Sequence, residues 1–206
     1  MRLRHGAIAA ALIVFGASAA FAKWGKSDSS SAELAIRRQL TLYADSLDWP
    51  RGSDWPIPAA ASFDPADDTT WPEAWAAGTK QFFDIFTDDV VIDYPHFHHQ
   101  FRGKENTAPV RDGTTLVGGI GYMFNAWSMA SQTNSHTVLS NILITVDGDE
   151  ATSKDRFSHV GYLTGGGQTW ADASHTMGFH EGKWRKEDGV WRCYYWHGTV
   201  QFNSTD

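Results

Sequence analysis

The last third of the chain is built from apolar-rich segments separated by tight-turn signals, and this pattern limits the fold more than any other feature. Val138 to Val146 is followed by Asp147-Gly148-Asp149, and Ala151 to Leu163 by Gly165-Gly166-Gly167. Thr169 to Trp184 is followed by Glu187-Asp188-Gly189, ahead of Val190 to Phe202. Asp-Gly between alternating runs marks a hairpin, because the turns that match strand twist need positive φ. The triple glycine has neither the lysine nor the strand-to-helix setting of a phosphate loop, so a hairpin turn accounts for it better. Such a sheet has one apolar face that other elements must cover.

The covering elements lie upstream. After the polar stretch Lys26 to Ala32, the apolar residues Leu34, Ile36, Leu40, Leu42, Tyr43 and Leu47 fall mainly at three- and four-residue spacings. This predicts an amphipathic helix from Glu33 that ends before Trp49-Pro50. Asp45 and Asp48 fall on neighbouring positions of its last turn. Trp49 to Thr79 holds five prolines and four tryptophans without a sustained period, and reads as a long loop or insertion, either a lid or surface decoration. A short helix over Lys80 to Phe86, a turn at Thr87-Asp88-Asp89 and a strand from Val90 to Tyr94 follow. Gly103 to Ala130 reads as loop plus helix, with Met123, Phe124 and Trp127 on its apolar side. The order implies one α+β domain, a curved, mainly antiparallel sheet wrapped over about three helices.

Residues 1–22 combine Arg2 and Arg4, an apolar run from Ala7 to Phe15 and a small-residue end, Ala20-Phe21-Ala22, the layout of a cleavable secretory signal. The expected organisation is a leader over 1–22, a flexible lead-in over 23–32, and a single domain over 33–206 carrying the inserted loop 49–79. The apolar run is short for a bilayer span, so an exported protein, periplasmic or secreted, is expected. Removing the leader takes 17 basic residues to 15 against 24 acidic ones, a formal charge near −9. That sign argues against nucleic acid or an anionic membrane as partner. A single cysteine, Cys193, excludes an intramolecular disulfide, so a packed core rich in tryptophan and phenylalanine must supply stability. Homo-oligomerisation is left open.

A helix ending in Tyr-Ala-x-x-x-Asp, then FTDDVVIDY followed by FRGKE, SHTVLSNILITVDGDEA and KWRKEDGVWRCYYW, together resemble the SnoaL-like branch of the nuclear-transport-factor-2-like superfamily. Within it the chain is most similar to scytalone dehydratase. The resemblance covers roughly Glu33 to Trp196, interrupted by the insertion, and implies a cone-shaped α+β fold enclosing a pocket. It places Asp48 at the family's first-helix carboxylate, Tyr94 at the tyrosine after Ile-Asp, and His136 at the histidine opening the strand after the third helix. His159 takes the place of the second catalytic histidine. Two positions depart: Leu47 stands where the dehydratase has a second tyrosine, and His180 where it has an asparagine.

Two imidazoles, a carboxylate and a phenol suffice for acid–base chemistry without a cofactor. The expected enzyme is a lyase (dehydratase) or isomerase acting on a small cyclic carbonyl or polyketide-like compound. His136 removes a proton beside the carbonyl, His159 oriented by Asp48 protonates the departing hydroxyl, and Tyr94 hydrogen-bonds the carbonyl oxygen. His180, Tyr43, Trp127 and Phe157 are expected to contact the substrate. Two-residue alternation sets His159 on one strand face with Phe157 and Gly161. His136 and His159 on opposite faces of the sheet would sink the dehydratase reading. The alternatives are an exported, non-catalytic binding protein for an apolar small molecule, and an aldol cyclase of the polyketide-cyclase kind. His96-Phe97-His98-His99 resembles a metal site, but alternation sends His99 opposite to His96 and His98, so a polar loop or pocket rim is expected and no metal. Arg156 and Trp170 read as a solvated strand face.

Overall fold

The computed structural model describes residues 29–47, 73–123, 132–163 and 173–204. The leader, Asp48, the insertion up to residue 72, Phe124, Trp127, the triple glycine and Trp170 lie outside them. Helix α1 spans residues 29–47. After it come α2 (Glu73–Asp84), β1 (Phe86–Tyr94), a 3-10 turn (Pro95–Phe97), β2 (His99–Arg102), β3 (Val110–Asp112), β4 (Thr115–Gly118) and the short α3 (Ile120–Tyr122). Four long strands complete the domain: β5 (Gln132–Asp147), β6 (Glu150–Leu163), β7 (Ala173–Glu187) and β8 (Val190–Asn203). All eight strands form one sheet in the order β3-β4-β2-β1-β8-β7-β6-β5. Neighbours are antiparallel except β1 with β8 and β2 with β4. The fold is α+β, with a mainly antiparallel sheet and few helices. Among the described residues no helix is long and apolar enough to cross a membrane.

The two Asp-Gly signals close the hairpins they predict. Asp147 pairs with Glu150 and Glu187 with Val190, leaving two-residue loops. Asp188 and Gly189 both take positive φ (50° and 82°), as a type I′ turn requires. Upstream, the boundaries shift. Helix α1 starts at residue 29, so Ser29 to Ala32 are helical instead of a lead-in, and Leu34 is 70% exposed. The true inner stripe is Ala32, Ile36, Leu40 and Tyr43, spaced four, four and three. The last residues of the expected insertion, from Glu73, belong to α2. Strand β1 starts at Phe86 with no turn at Thr87 to Asp89. The histidine run is not all loop, since His99 opens β2, and Gly103 to Ala130 contains the β3-β4 hairpin.

The core lies where α1 and α2 cross the inner face of β1, β8, β7 and β6. Ile36, Leu40, Tyr43, Phe82, Phe86, Ile92, Trp184 and Trp196 are buried there. Polar bonds fix the position of α1 on the sheet. Arg37 donates to the Ile142 carbonyl (3.1 Å), and Ser135 donates to the Leu47 carbonyl at the helix end (2.9 Å). The Trp184 indole donates to Ser153 Oγ (2.9 Å), so that ring is buried without an unmet donor. Cys193 is a buried free thiol whose proton affinity burial raises, which makes it an inert core residue.

Candidate active site

Alternation along β6 puts Ala151, Ser153, Asp155 and Phe157 on the inner face, with Thr152, Lys154 and Arg156 outside. Asp155 is a carboxylate in an apolar register. It lies directly opposite His180 on β7, and both residues are 2% exposed. His180 Nδ1 donates to Asp155 Oδ1 (3.0 Å), which fixes the tautomer and leaves Nε2 as the nitrogen able to take up a proton. The imidazole is held between rings. It stacks on Phe157 (4.2 Å, 10°), meets Trp196 at 4.6 Å and meets the edge of Tyr43 at 5.7 Å.

Two phenols reach the same place from different elements. Tyr43 comes from α1 and Tyr94 from the end of β1, with their oxygens 3.4 Å apart. Tyr94 lies against Gly198, where a Cβ would come within 2.1 Å of the ring, so only glycine on β8 admits the ring at this point. Burial raises the proton affinity of Tyr43 well above the usual phenol range, reinforced by Tyr94 and Asp155. Tyr94 is shifted the same way, again chiefly by burial, although part of its surface remains open. Both phenols therefore remain protonated hydrogen-bond donors at neutral pH. The Trp196 indole faces the Tyr94 oxygen closely enough to favour its phenolate, yet its N–H has no hydrogen-bond acceptor among the described residues. Asp155 Oδ2 is buried and has no hydrogen-bond partner among the described residues.

The structure thus brings together four of the residues expected at the site, Tyr43, Tyr94, Phe157 and His180, and adds Asp155. His159 shares the inner register but lies four residues beyond Asp155, a separation of about 13 Å along the strand, with its Nδ1 2.9 Å from Thr137 Oγ1. His136 corrects the expectation. It pairs with Val160 while Thr137 pairs with His159, so the two histidines lie on opposite faces, and His136 is exposed on the outer one. His136 cannot act with His159 on one substrate, and the dehydratase mechanism built on that pair falls. Asp48 and Trp127 lie outside the described residues. Asp155 was legible as a lone acid within an inward-facing alternation, but that signal becomes decisive only once His180 is seen across from it.

No group of three His, Cys, Asp or Glu residues placed to hold a metal ion occurs among the described residues. His99 Nδ1 is engaged with the Phe97 carbonyl (2.5 Å), and His98 takes a left-handed backbone (φ 52°) that closes the 3-10 turn. Arg156 is exposed over the Phe179 ring (5.2 Å).

Comparison with known proteins agrees with this architecture. The hexachlorocyclohexane dehydrochlorinase LinA-type3 from Novosphingobium barchaimii superposes with a TM-score of 0.53 at 11% identity, over 84% of this chain and 89% of that one. A protein provisionally designated scytalone dehydratase, from Novosphingobium aromaticivorans, gives 0.54 at 15% identity, over 86% and 90%. A nuclear-transport-factor-2-like superfamily protein from Salmonella enterica gives 0.53 at 14% identity, over 85% and 94%. At these identities the likeness establishes the fold. No curated protein sequence matches the chain. The family model described as SnoaL-like domain matches residues 74–197, from α2 through the strand that carries Trp196, and the chain belongs to that family.

Proposed function

We propose that this protein is an exported, cofactor-independent enzyme of the isomerase or lyase type, moving a proton beside the carbonyl of a small cyclic compound. The observation that carries the reading is the buried His180–Asp155 pair facing the Tyr43–Tyr94 phenols. His180 Nε2 removes the proton from the carbon next to the carbonyl, while Asp155 holds Nδ1–H and stabilises the imidazolium that forms. The electron pair moves onto the carbonyl oxygen, and the phenols donate to that oxygen as enolate charge develops. Collapse of the enolate then either takes the proton back at another carbon, an isomerisation, or expels a β-hydroxyl that leaves as water with the proton from His180. The first outcome needs one acid–base group only, and it is the one this arrangement serves most directly. The basic, apolar and small-residue order of residues 1–22 supports export.

The test is exchange of α-protons for deuterium in a panel of cyclic ketones and β-hydroxy ketones, followed by NMR. General acid–base groups contribute on the order of a hundredfold or more, so His180→Gln should slow exchange by at least about that factor while circular dichroism stays unchanged. Exchange at the wild-type rate in that variant would end the proposal.

A further inference from the structure

Helix α1 turns one side to the core and leaves its outer side beside the β7–β8 turn, where the two line a groove of about 960 Å³. Its floor is apolar. Leu34 and Leu42 come from the helix and Val190 and Trp191 from β8, and Leu34 and Val190 are still 70% and 40% exposed. The charged side chains that line it are Arg37 and Arg38, with no acid among the described lining residues. Arg37 is held by Glu33 one turn back, whereas Arg38 is exposed and makes no ion pair among the described residues. A cationic, apolar groove on a chain of formal charge −7 is a local reversal of sign. It selects an occupant that is both apolar and acidic.

Such a segment lies in the same chain. Residues 48–72, which join α1 to α2, carry five aspartates against one arginine, together with Trp49, Trp55, Ile57, Phe63 and Trp71. Five prolines restrict the backbone beforehand, which lowers the entropy lost when such a segment settles on a surface. Its reach is sufficient: Leu34 is about 20 Å along the helix from Leu47, and 25 residues span up to about 80 Å. The inner face offers no comparable attraction, since Asp155 and His180 form its buried ionisable pair and no lysine or arginine is buried among the described residues. We infer that the groove is the docking surface for residues 48–72 of the same chain, with their aromatic side chains on Leu34, Leu42 and Val190 and their aspartates at Arg38. Docking there braces the outer side of the helix that carries Tyr43, and it stands independently of the proposed activity.

Arg51 is the single lysine or arginine in 48–72, so trypsin reads the state of the segment at one bond, Arg51–Gly52. Cleavage of a folded chain follows the population of its open form. In the purified full chain this bond should be cut at least about tenfold more slowly than in a free peptide of residues 46–57, since burying even one large apolar side chain shifts that population by such a factor. Leu34→Asp and Arg38→Glu should each speed the cut toward the peptide rate with circular dichroism unchanged, because both side chains are exposed and neither belongs to the core. Val138→Asp, at another exposed apolar position on the outer face of the sheet, should leave the rate alone. A wild-type rate equal to that of the peptide overturns the inference, and so does protection that survives both groove variants or is lost equally in Val138→Asp. Protection that falls on dilution while light scattering shows a dimer assigns the groove to a second copy and likewise overturns docking within the chain.

Discussion

Among the described residues the sheet carries two histidine–carboxylate pairs of nearly the same geometry, one on each face. Inside, His180 and Asp155 are 3.0 Å apart with side chains 3% and 0% exposed. Outside, His197 and Asp93 are 3.3 Å apart with side chains 27% and 24% exposed. The outer pair belongs to a row running straight across the strands, Asp93 to His197 to Glu181 to Lys154, with Tyr195 stacked beside His197. Water reaches that row, and each charge there has a hydrated alternative. The inner pair is packed among aromatic rings, and Asp155 acts on the Tyr43 and Tyr94 phenols beside it, raising their proton affinity. The comparison shows that chemistry here follows from the face a residue occupies and not from the residue types alone.

The sharpest way to break the comparison is to remove one histidine at a time. His180→Leu leaves Asp155 buried without its donor and should cost about 3 kcal/mol or more. His197→Leu leaves Asp93 partly hydrated and should cost about 0–1 kcal/mol. Urea unfolding of the two variants measures the difference, and equal losses would mean the faces are not distinct environments. Next in size, Gly198→Ala forces a methyl group into the Tyr94 ring. Overpacking of this kind costs about 1–3 kcal/mol. Separation of the two phenols should accompany that loss, seen as earlier ionisation of one tyrosine in an ultraviolet titration.

The pH dependence sharpens the picture further. Folding raises the proton affinity of Tyr43 and Tyr94 above the unfolded value of about 10, chiefly through burial. The folded state therefore binds more phenol protons than the unfolded state above that pH, so this contribution to stability is fully present below about pH 10 and is lost as pH rises further. Tyr43→Phe should blunt the alkaline loss in melting experiments, whereas Lys154→Ala in the outer row should not. The smallest expected effect is Lys154→Ala. It breaks an exposed cross-strand pair with Glu181 and should change stability by less than about 1 kcal/mol, an effect that vanishes in high salt.

Much of the fold was legible because its signals are local. Asp188-Gly189 needs only its own backbone to favour a tight turn, and the alternation of β6 and β8 follows from two-residue periodicity. The β3-β4 hairpin was missed because Val110 to Asp112 and Thr115 to Gly118 are too short to show a period. Strand β1 was started late because Asp88 and Asp89 look like a turn. In the structure they are strand residues held at the surface by Lys104 and Arg185.

The sequence by itself determined that long antiparallel strands follow a helical first half, that Phe157 and His159 share a face, and that Tyr43, Tyr94 and His180 belong in a search for chemistry. Tertiary structure alone decided which imidazole is buried beside a carboxylate. Register across β5 and β6 turned His136 outward, since a pairing fixed one residue either way reverses every side chain. Register across β6 and β7 set Asp155 against His180. The turn after β5 sets a starting register, but the shift between Ser140 and Leu143 moves it by one residue before His136 is reached, and Asp155 meets His180 across 25 residues of chain, so no local propensity encodes either outcome.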